Sequence, residues 1–147
     1  MTLTIRPLVP TDRAAWEPLW KSYLDFYKTS VPPEQYDLTW SRFHDESEPM
    51  YALGAFEGDA LLGIVHCIYH RSCWTANPVC YLQDLFTVDQ ARGKGVARAL
   101  IEAVYEIAKR DGSSRVYWNT QDSNAVAMVL YNKIADRPGF VQYRKML

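Results

Sequence analysis

The sequence is short of the residues that mark most specialised classes of protein. It has three cysteines, Cys67, Cys73 and Cys80, and none are in C-x-x-C spacing. An odd count without a secretion signal reads as reduced, buried thiols, small core residues on a strand, and not as a disulfide framework. His66 and His70 stand close by, but the spacings match no standard zinc pattern, so no metal is expected. Seven glycines and eight prolines are too few for a collagen-like or disordered chain. No run approaches the ~18 consecutive apolar residues of a membrane span. Met1-Thr2-Leu3-Thr4-Ile5-Arg6-Pro7 has no apolar stretch behind a basic cluster, as a signal peptide would. The expected location is the cytoplasm, with no membrane partner. Neither sign of charge is in excess. Sixteen Lys+Arg against 17 Asp+Glu leave a formal net charge of −1, which argues against a nucleic-acid partner.

What is present is a chain of 147 residues, 48% of them hydrophobic, enough for a single domain over 1–147. A domain of that size buries roughly 70% of its unfolded surface and needs no staple. The aromatic content is high, with 10 Tyr and 5 Trp. Leu3 to Pro7 reads as a short strand, and Thr11 or Asp12 then caps a helix to about Tyr27. Its apolar members Trp16, Leu19, Trp20, Tyr23 and Tyr27 recur at helical spacing, with Pro18 as a kink or a later start. After Pro32-Pro33, Glu34 to about Asp45 predicts a second helix. Tyr51–Glu57 and Leu61–Arg71 flank Gly58-Asp59 as a hairpin, and Val79–Val88 follows as a further strand. Val96 to about Arg110 is a clean amphipathic helix. Val96, Leu100, Ile101, Val104, Ile107 and Ala108 line one face, and Arg98, Glu102, Glu106 and Arg110 the other. Arg115–Thr120 reads as a strand, Asn124 to about Ala135 as a helix and Phe140–Lys145 as a closing strand. The order β-α-α-β-β-β-α-β-α-β, with neither repeats nor linker, predicts an α/β fold.

The most informative stretch is Gln90-Ala91-Arg92-Gly93-Lys94-Gly95, between a strand and the amphipathic helix. A glycine-bearing turn at a helix amino terminus offers unpaired N–H groups and the positive end of the helix dipole, a natural phosphate site. Arg92 and Lys94 add charge there. A Walker loop is excluded because no Gly-Lys-Ser/Thr follows a glycine at the required distance. A dinucleotide fingerprint is excluded because Arg98 stands where glycine or alanine is needed. The glycines are also compatible with a tight connection that binds nothing.

Around these residues the sequence resembles the GNAT superfamily of N-acetyltransferases. Gln90 to Gly95 matches its Q/R-x-x-G-x-G/A acyl-CoA motif, and Leu85-Phe86-Thr87-Val88-Asp89 its preceding strand. Asn124, Ala127, Leu130 and Tyr131 match its N-x-x-A-x-x-L-Y helix, and Lys133 to Phe140 its terminal segment with extra residues before Gly139-Phe140. Cys80 to Phe86, Leu130-Tyr131-Asn132-Lys133 and Gly139 to Lys145 look like the yeast histone/polyamine acetyltransferase group and its bacterial relatives.

The resemblance implies a mixed, mostly antiparallel sheet flanked by helices and splayed between its fourth and fifth strands. It implies acetyl-CoA as cosubstrate, without a metal. The pyrophosphate would lie on Ala91, Arg92, Gly93, Lys94, Gly95, Val96 and Ala97. The pantetheine arm would pair with the backbone of Phe86, Thr87 and Val88 and bond to Asn124. An N–H near Phe86 or Thr87 would face the developing oxyanion. Tyr131 would sit at the cosubstrate as general acid for its sulfur; a tyrosine packed on the helix's inner face is the plain alternative. Relatives carry a Glu-Asp pair where this chain has Gln83-Asp84, and a glutamine cannot take the amine proton. Asp84 remains, on the opposite face of the strand from Gln83, either catalytic or merely orienting or exposed. His66, His70 or a water chain stand behind it. The acceptor is expected to be a small-molecule amine, a polyamine or amino acid, held by Trp20, Tyr23, Tyr27 and Gln83, although core packing explains inward aromatics as well. A protein lysine and a catalytically weak acyl-CoA sensor are the alternatives. A homodimer is expected from the same resemblance.

Overall fold

Five strands form one open sheet in the order β1-β2-β3-β4-β5 in this computed structural model, which describes residues 2–147. They are β1 (Thr4–Pro7), β2 (Met50–Glu57), β3 (Ala60–His70), β4 (Val79–Thr87) and β5 (Val116–Tyr117). The first four pair antiparallel in sequence, and β5 pairs parallel to β4. The helices are α1 (Arg13–Phe26), α2 (Pro33–Phe43), α3 (Val96–Arg110) and α4 (Ala125–Ile134). The mixed α/β architecture and the mostly antiparallel sheet are those expected. Among the described residues, no helix is long and apolar enough to cross a membrane.

β2 and β3 are buried along most of their length because helices cover both faces of the sheet. On one face Leu53, Val65, Cys67 and Leu82 pack with Leu100, Ile101 and Val104 of α3. On the other, Ala52, Phe56 and Ile64 pack with Trp16, Leu19 and Trp40 of α1 and α2. The stripe foreseen on α3 is the buried one: Val96, Leu100, Ile101, Val104 and Ala108. Gly63 sets how closely α3 approaches. A Cβ there would lie 2.8 Å from Val96 Cγ1 and 3.0 Å from the Phe86 carbonyl oxygen. Gly63→Val is therefore expected to destabilise the fold by about 1–3 kcal/mol through overpacking. A urea melt reads this, and an unchanged midpoint would show that α3 can lift off without cost.

Four local expectations change. Cys67 and Cys80 are buried as expected, but Cys73, outside the strands, is exposed. Asp12 sits at the N-cap of α1 but makes no capping bond there. Its carboxylate takes two bonds from Arg6, at 2.8 and 3.1 Å, and one from the Val9 N–H at 2.7 Å. Pro18 lies inside α1, which starts at Arg13 and so is not delayed by it, at the expense of one helical hydrogen bond. The predicted Arg115–Thr120 strand shrinks to Val116–Tyr117, matched to Cys80 and Tyr81.

The closing strand expected over Phe140–Lys145 does not form. A strand needs a partner edge for its backbone groups, and two-residue β5 offers little of one. Phe140, Val141 and Tyr143 are accordingly 83%, 74% and 92% exposed.

Candidate active site

The site begins with a break in strand alternation. Asp84 of β4 faces His66 and Leu82 faces Cys67, so the β3–β4 register shifts between them and Gln83 is the extra residue of a β-bulge. Upstream, Cys80 and Leu82 point into the α3-side core. Had alternation continued, Asp84 would point there too. The bulge instead sends Asp84 and Phe86 to the α1 side, where Phe86 packs against the Trp16 cluster. A carboxylate that an unbroken strand would bury among aliphatic side chains thus meets polar partners.

Those partners are close. His66 Nδ1 lies 3.0 Å from Asp84 Oδ2, and the indole N–H of Trp16 donates to His66 Nε2 at 3.0 Å. His66 is 2% exposed and the Asp84 side chain 12%. The phenol of Tyr23 is driven far above its usual pKa, first by burial and then by the Asp84 charge. Tyr27 shifts the same way for the same reasons.

The bulge also changes which N–H groups face the opening between β4 and β5. Cys80 N–H donates across to the Arg115 carbonyl, whereas Val88 N–H donates to the Leu62 carbonyl on the β3 side. Alternation from Val88 turns the Phe86 N–H toward β3 and the Leu85 and Thr87 N–H groups toward the gap. Beyond Tyr81 and Tyr117 the two strands no longer pair, so the sheet is splayed as expected. The Thr87 hydroxyl is buried without a hydrogen-bond partner.

A small pocket of about 30 Å³ at this opening brings Tyr23, Tyr27, Gln83 and Tyr131 together, with Asn119 and Thr120. Tyr131 of α4 packs edge-on against Trp118, ring centroids 5.3 Å apart. Burial, with Tyr27 nearby, raises its pKa above the ordinary phenol value. Trp20 stacks on Tyr23 at 5.1 Å and lies 4.8 Å from His66. Its indole N–H is buried and unpartnered. Asn124, at the N-cap of α4, donates from Nδ2 to Thr120 Oγ1 at 3.1 Å, bracing the loop that lines the pocket.

A second groove, of about 380 Å³, lies between α1 and the end of β4. Phe86, Val88 and Arg92 line one side, and Pro18, Ser22 and Phe26 of α1 the other. It leads to the glycine turn. Gly93 and Gly95 have φ of +75° and +81°, and a Cβ on either would meet nothing within 4 Å. Conformation rather than crowding requires glycine here, and the space above the turn is open to a ligand. Ala91 is buried beneath the turn, and Val96 and Ala97 open α3. Arg92, Lys94 and Gly95 are exposed, with Arg92 Nε 3.3 Å from Asp89 Oδ1. The turn, the outward N–H groups and the unpartnered Thr87 hydroxyl fit a phosphate-bearing thioester with an amide arm.

Two features escaped the sequence. Trp16 read only as one apolar member of the first helix, and His66 as a reserve base. Neither spacing nor periodicity links residues 50 positions apart, and only their hydrogen bond does. The outward Leu85 N–H was likewise invisible, because a bulge has no reliable sequence signature.

An open sheet beside a glycine turn at a helix amino terminus suits an anionic ligand, and comparison with known proteins gives the class. The protein is an acyltransferase. The Acetyltransferase (GNAT) family matches residues 16–135, and the chain belongs to that family. It is 38% identical to the D-amino-acid N-acetyltransferase HPA3 of Saccharomyces cerevisiae, over 97% of this chain and 90% of that one. It is 27% identical to the uncharacterized N-acetyltransferase YhfO of Bacillus subtilis, over 96% of this chain and 95% of that one. The yeast and bacterial resemblance seen in the motifs is therefore present along the whole chain. Among solved structures, a ribosomal-protein-alanine N-acetyltransferase from Brucella melitensis superposes with a TM-score of 0.83 at 23% identity, covering 99% of this chain and 100% of that one. The aminoglycoside acetyltransferase AAC(6')-Iy, bound to a CoA bisubstrate analogue, superposes at 0.84 with 18% identity, each chain covered fully.

Proposed function

We propose that this acyltransferase moves the acetyl group of acetyl-CoA to the primary amine of a small molecule, an amino acid or a polyamine, in the cytoplasm. The observation that carries the reading is the bulge, which delivers Asp84 to the α1 face beside Tyr23, Trp20 and the pocket holding Tyr131. Bound acetyl-CoA supplies an activated acyl carbon. The chain's own residues do the rest. Asp84 attracts the ammonium and accepts the nitrogen's proton as the new bond forms. The aromatic faces of Trp20, Tyr23 and Tyr27 favour a cation over neutral competitors. Gln83, unable to take a proton, offers an amide to orient the acceptor. Tyr131, held protonated, donates to the departing sulfur. Arg92, Lys94 and the turn's N–H groups hold the pyrophosphate, with Asn124 and the outward Leu85 and Thr87 N–H groups along the arm.

The names of relatives support a small acceptor: a D-amino-acid acetyltransferase, thialysine N-epsilon-acetyltransferases and an aminoglycoside N(6')-acetyltransferase. Exposed Phe140, Val141, Tyr143 and Met146 support pairing with a second copy as a homodimer.

The test mixes protein and acetyl-CoA with D- and L-amino acids, polyamines, aminoglycosides and a lysine peptide, and follows thiol release. Turnover is expected with an amino acid or polyamine and not with the peptide. No turnover with any amine, alongside strong thermal stabilisation by CoA, would instead make the protein an acyl-CoA sensor.

A further inference from the structure

The Trp16–His66–Asp84 chain contains one donor whose role is unambiguous. An indole nitrogen only donates, so Trp16 Nε1–H makes His66 Nε2 an acceptor across their 3.0 Å contact. The ring proton must then sit on Nδ1, which lies 3.0 Å from Asp84 Oδ2 and donates to it. Both ring nitrogens are committed, and the ring is 2% exposed. His66 has no nitrogen left to take a proton from an acceptor.

The geometry points to His66 as a positioning residue that holds the Asp84 carboxylate, with Trp16 setting the tautomer that lets it do so. This rests on the reading of Asp84 as the proton acceptor given above. The His66 bond engages Oδ2 and leaves Oδ1 outside its reach, and the Tyr23 phenol, which also hydrogen-bonds this carboxylate, would share it with the amine. The ring is itself clamped: Phe43 and Trp20 lie 4.7 and 4.8 Å from its centroid, so it cannot follow a displaced carboxylate. Such rigidity matters because a base displaced by even an ångström loses much of its effect. An isolated aspartate at the mouth of a bulge would swing between rotamers. The alternative, a His–Asp pair in which the histidine is the base, requires a free Nε2, and the indole occupies it.

The first readout needs no activity. In protein labelled with 15N-histidine, a long-range proton–nitrogen spectrum resolves three rings, His44, His66 and His70. His66 is expected as the Nδ1–H tautomer in the wild type, losing that preference in Trp16→Phe. An Nε2–H tautomer in the wild type would overturn the proposal. The second readout is kinetic. His66→Phe is expected to lower kcat about tenfold or more while KM for acetyl-CoA stays constant. His66→Asn, whose amide N–H can still reach Asp84, is expected to recover much of the loss, and Trp16→Phe to fall between.

Asp84→Asn separates the two ideas. If that change leaves turnover intact, Asp84 is not the proton acceptor and the functional reading itself fails. If it abolishes turnover while His66→Phe, still folded by its melting curve, works at the wild-type rate, only the positioning role fails. An equal loss in His66→Asn and His66→Phe also counts against it, because a donor to Asp84 would then be irrelevant.

Discussion

Asp84→Asn is expected to reduce kcat by about a hundredfold or more, the usual contribution of a positioned general base. The expectation has a stated size because the problem it solves does. An alkyl ammonium of pKa ~10.4 must lose a proton at pH 7, and freeing it costs about 4.6 kcal/mol without help. A carboxylate next to the amine both concentrates the cation and receives the proton as nitrogen becomes acidic in the transition state. Asparagine keeps the shape and can still accept the His66 N–H bond that Asp84 accepts at 3.0 Å, so the fold is expected to survive. Steady-state kinetics beside a thermal melt checks both halves. A rate within threefold of wild type at unchanged stability, roughly 0.6 kcal/mol in the barrier, would show that the proton leaves by another route.

Tyr131→Phe is expected to lower kcat by about the same order, with KM for both substrates little changed. A phenol of pKa ~10 protonating a thiolate of pKa ~8.5 is uphill by about 2 kcal/mol, which a short hydrogen bond in a dry pocket can offset. Burial raises the Tyr131 pKa further, so the phenol stays protonated to higher pH than a free tyrosine. The sign follows directly. Activity should show no falling basic limb from Tyr131 below about pH 10, its ordinary value. Activity that instead rises with pH as the phenol ionises, a rise that vanishes in Tyr131→Phe, would mean that the phenolate and not the phenol is the working form.

The elements were largely legible in the residues, because helical stripes and glycine punctuation are local signals. The α3 stripe, the glycine turn and the hairpin at Gly58 all stand where periodicity put them. The motifs around Gln90 to Gly95 and Asn124 to Tyr131 identified the family, since a glycine turn opening a helix needs particular residues at particular spacings. The high aromatic content was less informative. Positions 16, 20 and 23 share one face of α1, with Tyr27 at its C-cap, yet they do different things. Trp16 is fully buried and donates to His66, whereas Trp20 and Tyr23 are only partly covered, and Tyr23 lines the small pocket. Helical spacing gives a common face and says nothing of how far along that face the sheet extends.

The amino-acid order was thus sufficient for the α/β class, the GNAT family and the glycine turn, all of which depend on contacts between near neighbours in the chain. The direction of the Asp84 carboxylate was not, because it hangs on one extra residue in β4 opposite Cys67, and a one-residue slip moves a side chain to the other face of a sheet. The same holds for the closing strand, whose residues favour β structure but find no partner edge within the chain. Pairing across a sheet is a relation between distant segments, and it enters only when the chain has folded.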